Sequence, residues 1–293
     1  MIRGRSVVAL AVRHPSGSLS LYVRGLSSFL TGPLRRVPLV RGTVVLVETM
    51  LLGVRALTFS ANVALEEEGQ ELSSWALTGL LTVSFTFGLG LFFIVPVLVV
   101  HAFDNWISNS LVSNLGEGVL RLVILVGYIA CIGRMADVRR VFAYHGAEHM
   151  AVHAHEAGDR LLVTDVQRYS TAHPRCGTAF LLVVMVVAVL VFALLGELPL
   201  SLLLASRVIL LPVIAGISYE IIRFSGAHPQ SPLVRFVTAP SLALQALTTR
   251  KPEYEEIEVA LCALWGAQKA DEEGLRYDVT AWTKCSLEGF RSS

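Results

Sequence analysis

The run His145-Gly146-Ala147-Glu148-His149 sets two imidazoles and a carboxylate in the order H-x-x-E-H, the inverted zinc-hydrolase arrangement. On a helix, residues four apart share one face, so His145 and His149 can offer two neutral nitrogen donors to one ion. Glu148, between them in sequence, is then placed to take a proton from an attacking water. The chemistry is metal-dependent hydrolysis, with zinc or another divalent metal, and it requires a third ligand and an open position. The bland alternative is a polar, solvated helix face at a membrane surface, which accepts histidine freely.

Five of the eight histidines, His145, His149, His153, His155 and His173, fall within 29 residues. The run from Asp137 to Gly158 reads as one helix, with Asp137 as N-cap and Gly158 as the stop. His153 then lies about 40° round from the ligand pair, and with His155 it reads as wet surface.

The elements that must position this helix are mostly apolar. The chain has 293 residues, of which 54% are hydrophobic and 16% charged, and its mean hydropathy is +0.61. Soluble domains carry about 25% charge. The 24 Lys and Arg against 23 Asp and Glu leave a net charge of +1, so no nucleic-acid partner follows from the total. The four cysteines form no CxxC pair and no disulfide scaffold is indicated.

The fold class expected is an all-α integral membrane protein with about four transmembrane helices, a small N-terminal β element and a cytoplasmic helical tail. Residues 1–36 form the β element, turning at Pro15-Ser16-Gly17. Residues 37–71 form an interfacial helix, because Arg41, Glu48 and Arg55 argue against a span. The membrane domain is 72–222, with crossings at Leu72–Phe103, Val119–Gly133, Cys176–Gly196 and Leu198–Ile222, and with the histidine-rich loop at 134–175. Arg121, near the start of the second crossing, is expected to snorkel. Residues 223–293 form the tail, whose Ile257, Leu261, Leu264 and Trp265 recur at helical spacing.

Arginine distribution sets the orientation. The first 71 residues hold eight Lys or Arg and the loop 134–175 holds six, whereas 104–118 and 197–201 hold none. Both termini and the histidine loop are therefore expected in the cytoplasm of a multi-pass protein of the bacterial inner membrane, with the lipid bilayer as partner. This topology carries His173 and Cys176 to the cytoplasmic start of the third crossing and Glu220 to the cytoplasmic end of the fourth. Glu220 follows His149 by 71 positions and, as a carboxylate, would neutralise part of an ion's charge. It is the expected third ligand, with His173 the alternative. Cys176 reads as an inert small residue or as a neighbour of the ligands.

The motifs "ALAVRHPSG", "PLVRGTVVLVETMLLGVRAL", "RVFAYHGAEHMAVHAHE", "HPRCGTAFLLVV", "ISYEIIR" and "PSLALQALTTRKPEYEEIEVAL", in this order, closely resemble the bacterial YqhQ-like family. The resemblance covers nearly the whole chain and implies a polytopic membrane protein of unknown function with metal dependence. It implies that His145, Glu148 and His149 belong to the family's "YHGAEH" block, Arg175 and Cys176 to "PRCGT", and Tyr219 and Glu220 to "SYE". His153, Arg175, Cys176 and Tyr219 are accordingly expected around the ligands. Met150 stands where many relatives have Lys, at a place read as helix surface, and Lys251 where they tend to be acidic.

Two functions follow as expectations. The first is a metal-dependent hydrolase at the cytoplasmic membrane face, acting on a membrane-associated peptide or a lipid-linked ester or phosphate. The second is a non-enzymatic metal-ion carrier or scaffold. A carrier should place ionisable groups near the bilayer midplane, where only Arg121 and Arg207 are evident.

Overall fold

The computed structural model describes residues 1–26, 37–65, 73–103, 109–173, 176–196, 198–228, 230–274 and 279–284. It is mainly helical, with a small sheet, and it divides physically into a membrane-helix bundle and an extramembrane layer.

The sheet begins with β1 (Ile2–Arg3), β2 (Val7–Arg13) and β3 (Leu19–Gly25), all antiparallel. The hairpin turns where expected: Gly17 has φ of 85°, a left-handed conformation that a residue without Cβ adopts at no steric cost. Alternation along the strands gives two buried faces. Ala9, Ala11 and Leu21 join one core, while Tyr22 on the opposite face stacks on Phe59 at 6.0 Å.

Between the strands and the bundle runs α1 (Val40–Leu65). Two of its side chains, 11 residues apart, touch the sheet: Glu48 pairs with Arg3 at 3.1 Å, and Phe59 stacks on Tyr22. At a rise of about 1.5 Å per residue, the helix follows the sheet for about 16 Å. By length and apolarity alone α1 could also cross a membrane.

The second element set is α2 (Ser74–Leu89), a π-helical turn (Gly90–Ile94) and α3 (Val95–His101), which together make an apolar rod from Trp75 to His101. Next come α4 (Ser110–Ile132), α5 (Ala136–Ala157), the short α6 (Val163–Val166), α7 (Gly177–Ala193), α8 (Leu200–Ile209), α9 (Leu211–Ala227), α10 (Pro232–Thr248) and α11 (Tyr254–Glu272). A last strand, β4 (Val279–Lys284), pairs with β3, so the tail expected to be helical returns a strand to the N-terminal sheet.

This protein is a membrane protein. Among the described residues three helices, α1, α2–α3 and α4, are long and apolar enough to cross, and a fourth crossing arises if α8 and α9 count as one span. That pair bends by 45° at Leu210, where Pro212 cannot donate to the helix ladder and its ring crowds the preceding turn. The apolar part of α7, Phe180–Ala193, is shorter and leaves Cys176 outside it.

Arg121 does not snorkel. Helix α4 starts nine residues before the expected crossing, which puts Arg121 in mid-helix and 1% exposed. There it pairs with Glu117 one turn away and donates from Nε to the Phe92 carbonyl at 2.8 Å, in the π-helical turn. Arg207 of α8 closes the group by pairing with Glu117, donating to Asn114 Oδ1 at 3.3 Å and lying 4.0 Å over the Phe192 ring. Ionisable groups away from water persist when paired in this way.

The extramembrane core joins parts distant in sequence. Ile2, Ala9 and Leu21 of the sheet pack with Ala147, Met150, Ala151 and Ala154 of α5 and with Ile257, Leu261, Leu264 and Ala267 of α11. Alanines at helical spacing on α5 let α11 approach closely. Met150 is 2% exposed within this core, so the surface position expected for it is wrong; it lies on the alanine face, three residues from Ala147 and four from Ala154.

Candidate metal centre

Helix α5 begins one residue before Asp137, which occupies the first turn beyond a Met135 cap, and ends at Gly158 in the left-handed conformation, φ 73°. His145 and His149 project from one face, their rings 4.4 Å apart. Gly146 between them has a physical reason: a Cβ there would lie 2.3 Å from the Arg250 carbonyl oxygen. The chain after α10 therefore crosses directly over α5, tied by Arg250 N–H to the Phe142 carbonyl at 3.0 Å.

That crossing brings the Thr248 carbonyl within 2.9 Å of His145 Nδ1. His149 Nδ1 meets the Thr171 carbonyl at 2.6 Å, and His153 Nε2 meets the Ala172 carbonyl at 2.9 Å. Both carbonyls belong to a segment pinned by the buried Gln245, whose amide accepts from His173 N–H and donates to the His173 carbonyl. A carbonyl at Nδ1 fixes the proton on that nitrogen and leaves Nε2 with a lone pair.

The free edges of His145 and His149 converge on Cys176. Its Sγ is 3.2 Å from His145 Nε2, and the ligand atoms of the three residues all lie within 4.8 Å of one another. Tetrahedral zinc bonds of 2.0 to 2.3 Å set neighbouring donors about 3.5 Å apart, so the set closes on an ion with little movement. Cys176 caps α7, accepting from Thr178 N–H at 3.3 Å. Burial pushes its thiol up, but hydrogen bonds from His145 and His149 outweigh this and bring it down to about 5. For His145, burial pulls the imidazole down, and the hydrogen bond and charge of Cys176 more than restore it, so the net shift is upward.

An open cleft of about 280 Å³ adjoins the cluster, lined by His145, Glu148, His149, Glu156, His173 and Cys176 among others. Glu148 is 39% exposed at its side chain, with one oxygen 3.8 Å from the Met1 nitrogen. His173 is buried against His153, ring centroids 4.5 Å apart, and approaches Glu156 at 3.5 Å. Burial, and next the neighbouring His153, hold its pKa down. His173 thus lines the cleft without being one of the three converging donors.

Glu220, expected as third ligand, is elsewhere. Both its carboxylate oxygens are taken by Arg41, and the backbone of Leu39 also donates to it. Tyr219 lines a different cleft, with Arg3, Arg41, Val45 and Arg223. The reason is the close approach of α1 to α9: a Cβ on Gly42 would lie 2.6 Å from Tyr219 Cβ, so Arg41 meets Glu220 across the contact. Arg175 lies outside the described residues. Cys176, expected only as an inert residue or a neighbour of the ligands, is the third donor atom that converges with the two histidines. Thr248 and Thr171, whose carbonyls meet the His145 and His149 rings, and Gln245, which pins the His173 backbone, had no sequence signal.

The family model described as "Protein of unknown function (DUF1385)" matches residues 37–270, and the chain belongs to that family. It is similar to "Uncharacterized protein YqhQ" of Bacillus subtilis (strain 168), 30% identical over 277 residues that cover 89% of this chain and 86% of the relative. No solved structure matches it.

Proposed function

We propose that this member of the DUF1385 family is a metal-dependent hydrolase whose zinc, or another divalent cation, is held by His145, His149 and Cys176. The observation that carries the reading is the convergence of two carbonyl-oriented imidazoles and a lowered thiol beside a half-exposed carboxylate, Glu148. Two neutral rings and one thiolate match a three-ligand catalytic zinc set in charge, donor softness and number. A bound divalent cation would supply Lewis acidity toward the substrate oxygen. Glu148 takes a proton from the attacking water and returns it to the leaving group; the hydroxyl stays with the acyl or phosphoryl group released. His173 and Glu156 line the rest of the cleft and keep it polar, and His153 packs behind His173.

The site belongs at the cytoplasmic face of the bacterial inner membrane. The sheet, α5 and α11 share one core and so one side, which requires an even number of crossings between them. Were α1, α2–α3 and α4 all to span, α5 would emerge on the wrong side. Contact of α1 with the sheet at both Glu48 and Phe59 favours an interfacial α1, leaving α2–α3 with α4, and α7 with α8–α9, as paired crossings. The arginine-rich segments then mark this side as cytoplasmic.

The experiment is metal content of the purified full-length protein beside activity on candidate ester and phosphate substrates. Glu148→Gln keeps the metal and loses turnover; His149→Ala loses both. Equal metal loss in the two variants would remove Glu148 from the proton-transfer role. The alternative, a metal-ion carrier or scaffold, draws on the buried Glu117, Arg121 and Arg207 group, and it is favoured if metal exchanges freely and no substrate turns over.

A further inference from the structure

A second cleft, about 350 Å³, opens where β1, the start of α1 and the end of α9 meet, lined by Arg3, Arg41, Val45, Tyr219 and Arg223. Three guanidinium groups and a phenol in one cleft are the donor set for a tetrahedral oxyanion, because the planar fork of arginine matches phosphate oxygens. Two carboxylates partly offset the charge: Glu48 pairs with Arg3, and Glu220 with Arg41. Arg223 is exposed and acts on Glu220 only as a nearby charge, so the cleft keeps a net positive charge of one.

Its place in the fold narrows the source of the phosphate. Arg41 is the second residue of α1 and Arg223 lies near the end of α9, so the cleft sits at the edge of the apolar bundle where lipid headgroups lie. It also adjoins the metal cleft: Met1 touches Glu148, Arg3 lines the arginine cleft, and two residues of extended chain span only about 7 Å.

Resting on the hydrolase reading above, we propose that the arginine cleft binds the phosphate of a membrane lipid, and that the substrate of the His145–Cys176 cleft is a lipid carrying that phosphate. The tails remain in the bilayer beside α1 and α9, and the headgroup reaches from Arg223 and Arg41 past β1 toward Glu148. Arg41 and Arg3 are committed to structural ion pairs, whereas Arg223 is the adaptable contact.

The test uses the full-length protein in detergent micelles, titrated with a fluorescent short-chain phosphatidic acid, with the matched diacylglycerol and with inorganic phosphate. Expected is saturable binding of phosphatidic acid, none of diacylglycerol, and weak competition by inorganic phosphate. Arg223→Ala weakens phosphatidic acid binding about tenfold or more, Arg223→Lys recovers part of it, and Arg235→Ala, an exposed arginine outside the cleft, leaves it unchanged. Binding insensitive to Arg223→Ala, or equal for diacylglycerol, overturns the site. Inorganic phosphate binding as tightly as the lipid overturns the lipid source. His149→Ala separates the two proposals: lipid binding that survives metal loss supports the arginine cleft on its own. A metal-free wild type that still binds phosphatidic acid through Arg223 removes the hydrolase and retains the lipid site.

Discussion

Cys176 Sγ lies 3.2 Å from His145 Nε2, on the ring edge opposite the one held by the Thr248 carbonyl. One imidazole is thereby fixed between a backbone acceptor and a thiol. The same geometry would serve as a ligand set for a bound ion and, without one, favours a thiolate beside an imidazolium.

In metal-free protein, the Cys176 thiol should titrate near 5. A depressed thiol contributes stability that is fully present above its unfolded value of about 8.5 and is lost as pH falls toward the folded value. The raised His145 works in the opposite sense: its contribution is present below about 6.5 and is lost as pH rises through its folded pKa. Thiolate ultraviolet absorbance, as the difference between wild type and Cys176→Ser, gives the midpoint. His145→Ala should move it upward, and a wild-type midpoint near 8.5 would contradict the pair.

Gly146→Ala should loosen the site without unfolding the chain. The new Cβ would lie 2.3 Å from the Arg250 carbonyl oxygen, so α5 and the chain after α10 must separate and the Thr248 carbonyl must leave His145. Loss of an orienting partner typically costs about 10- to 100-fold in metal affinity. Metal titration beside a thermal melt checks this, and unchanged affinity would show that Thr248 does not orient the ring.

Glu117→Leu should destabilise the bundle by about 3 to 5 kcal/mol, because it strands two guanidinium groups that share one carboxylate. Arg207→Leu should cost less, since Arg121 still holds Glu117. Thermal unfolding in detergent orders the two variants, and the reverse order would mean that Arg207, not Glu117, is the shared partner.

Much of this was legible in the sequence where periodicity and composition carry the signal. The β-hairpin, the histidine helix with its Gly158 stop, and a bundle of apolar helices follow from alternation, spacing and charge-free runs. The errors arose where partners come from afar. Arg121 read as a snorkelling residue because the Phe92 carbonyl, 29 positions away, and Arg207, which shares Glu117 with it, come together only in the folded bundle. Met150 read as surface because α11 covers its face only in three dimensions. Glu220 read as a ligand from its expected membrane level and its spacing after His149, while Arg41, 179 positions earlier, holds it in an ion pair.

Cobalt substitution tests the ligand set most directly. Full-length protein loaded with Co²⁺ should bind one equivalent and show an intense thiolate-to-metal charge-transfer band. The band should vanish in Cys176→Ser, weaken with the metal lost in His145→Ala and His149→Ala, and persist in Glu220→Ala. A cobalt site with no thiolate band, or one emptied by Glu220→Ala while Cys176→Ser leaves it intact, would contradict a centre built from His145, His149 and Cys176.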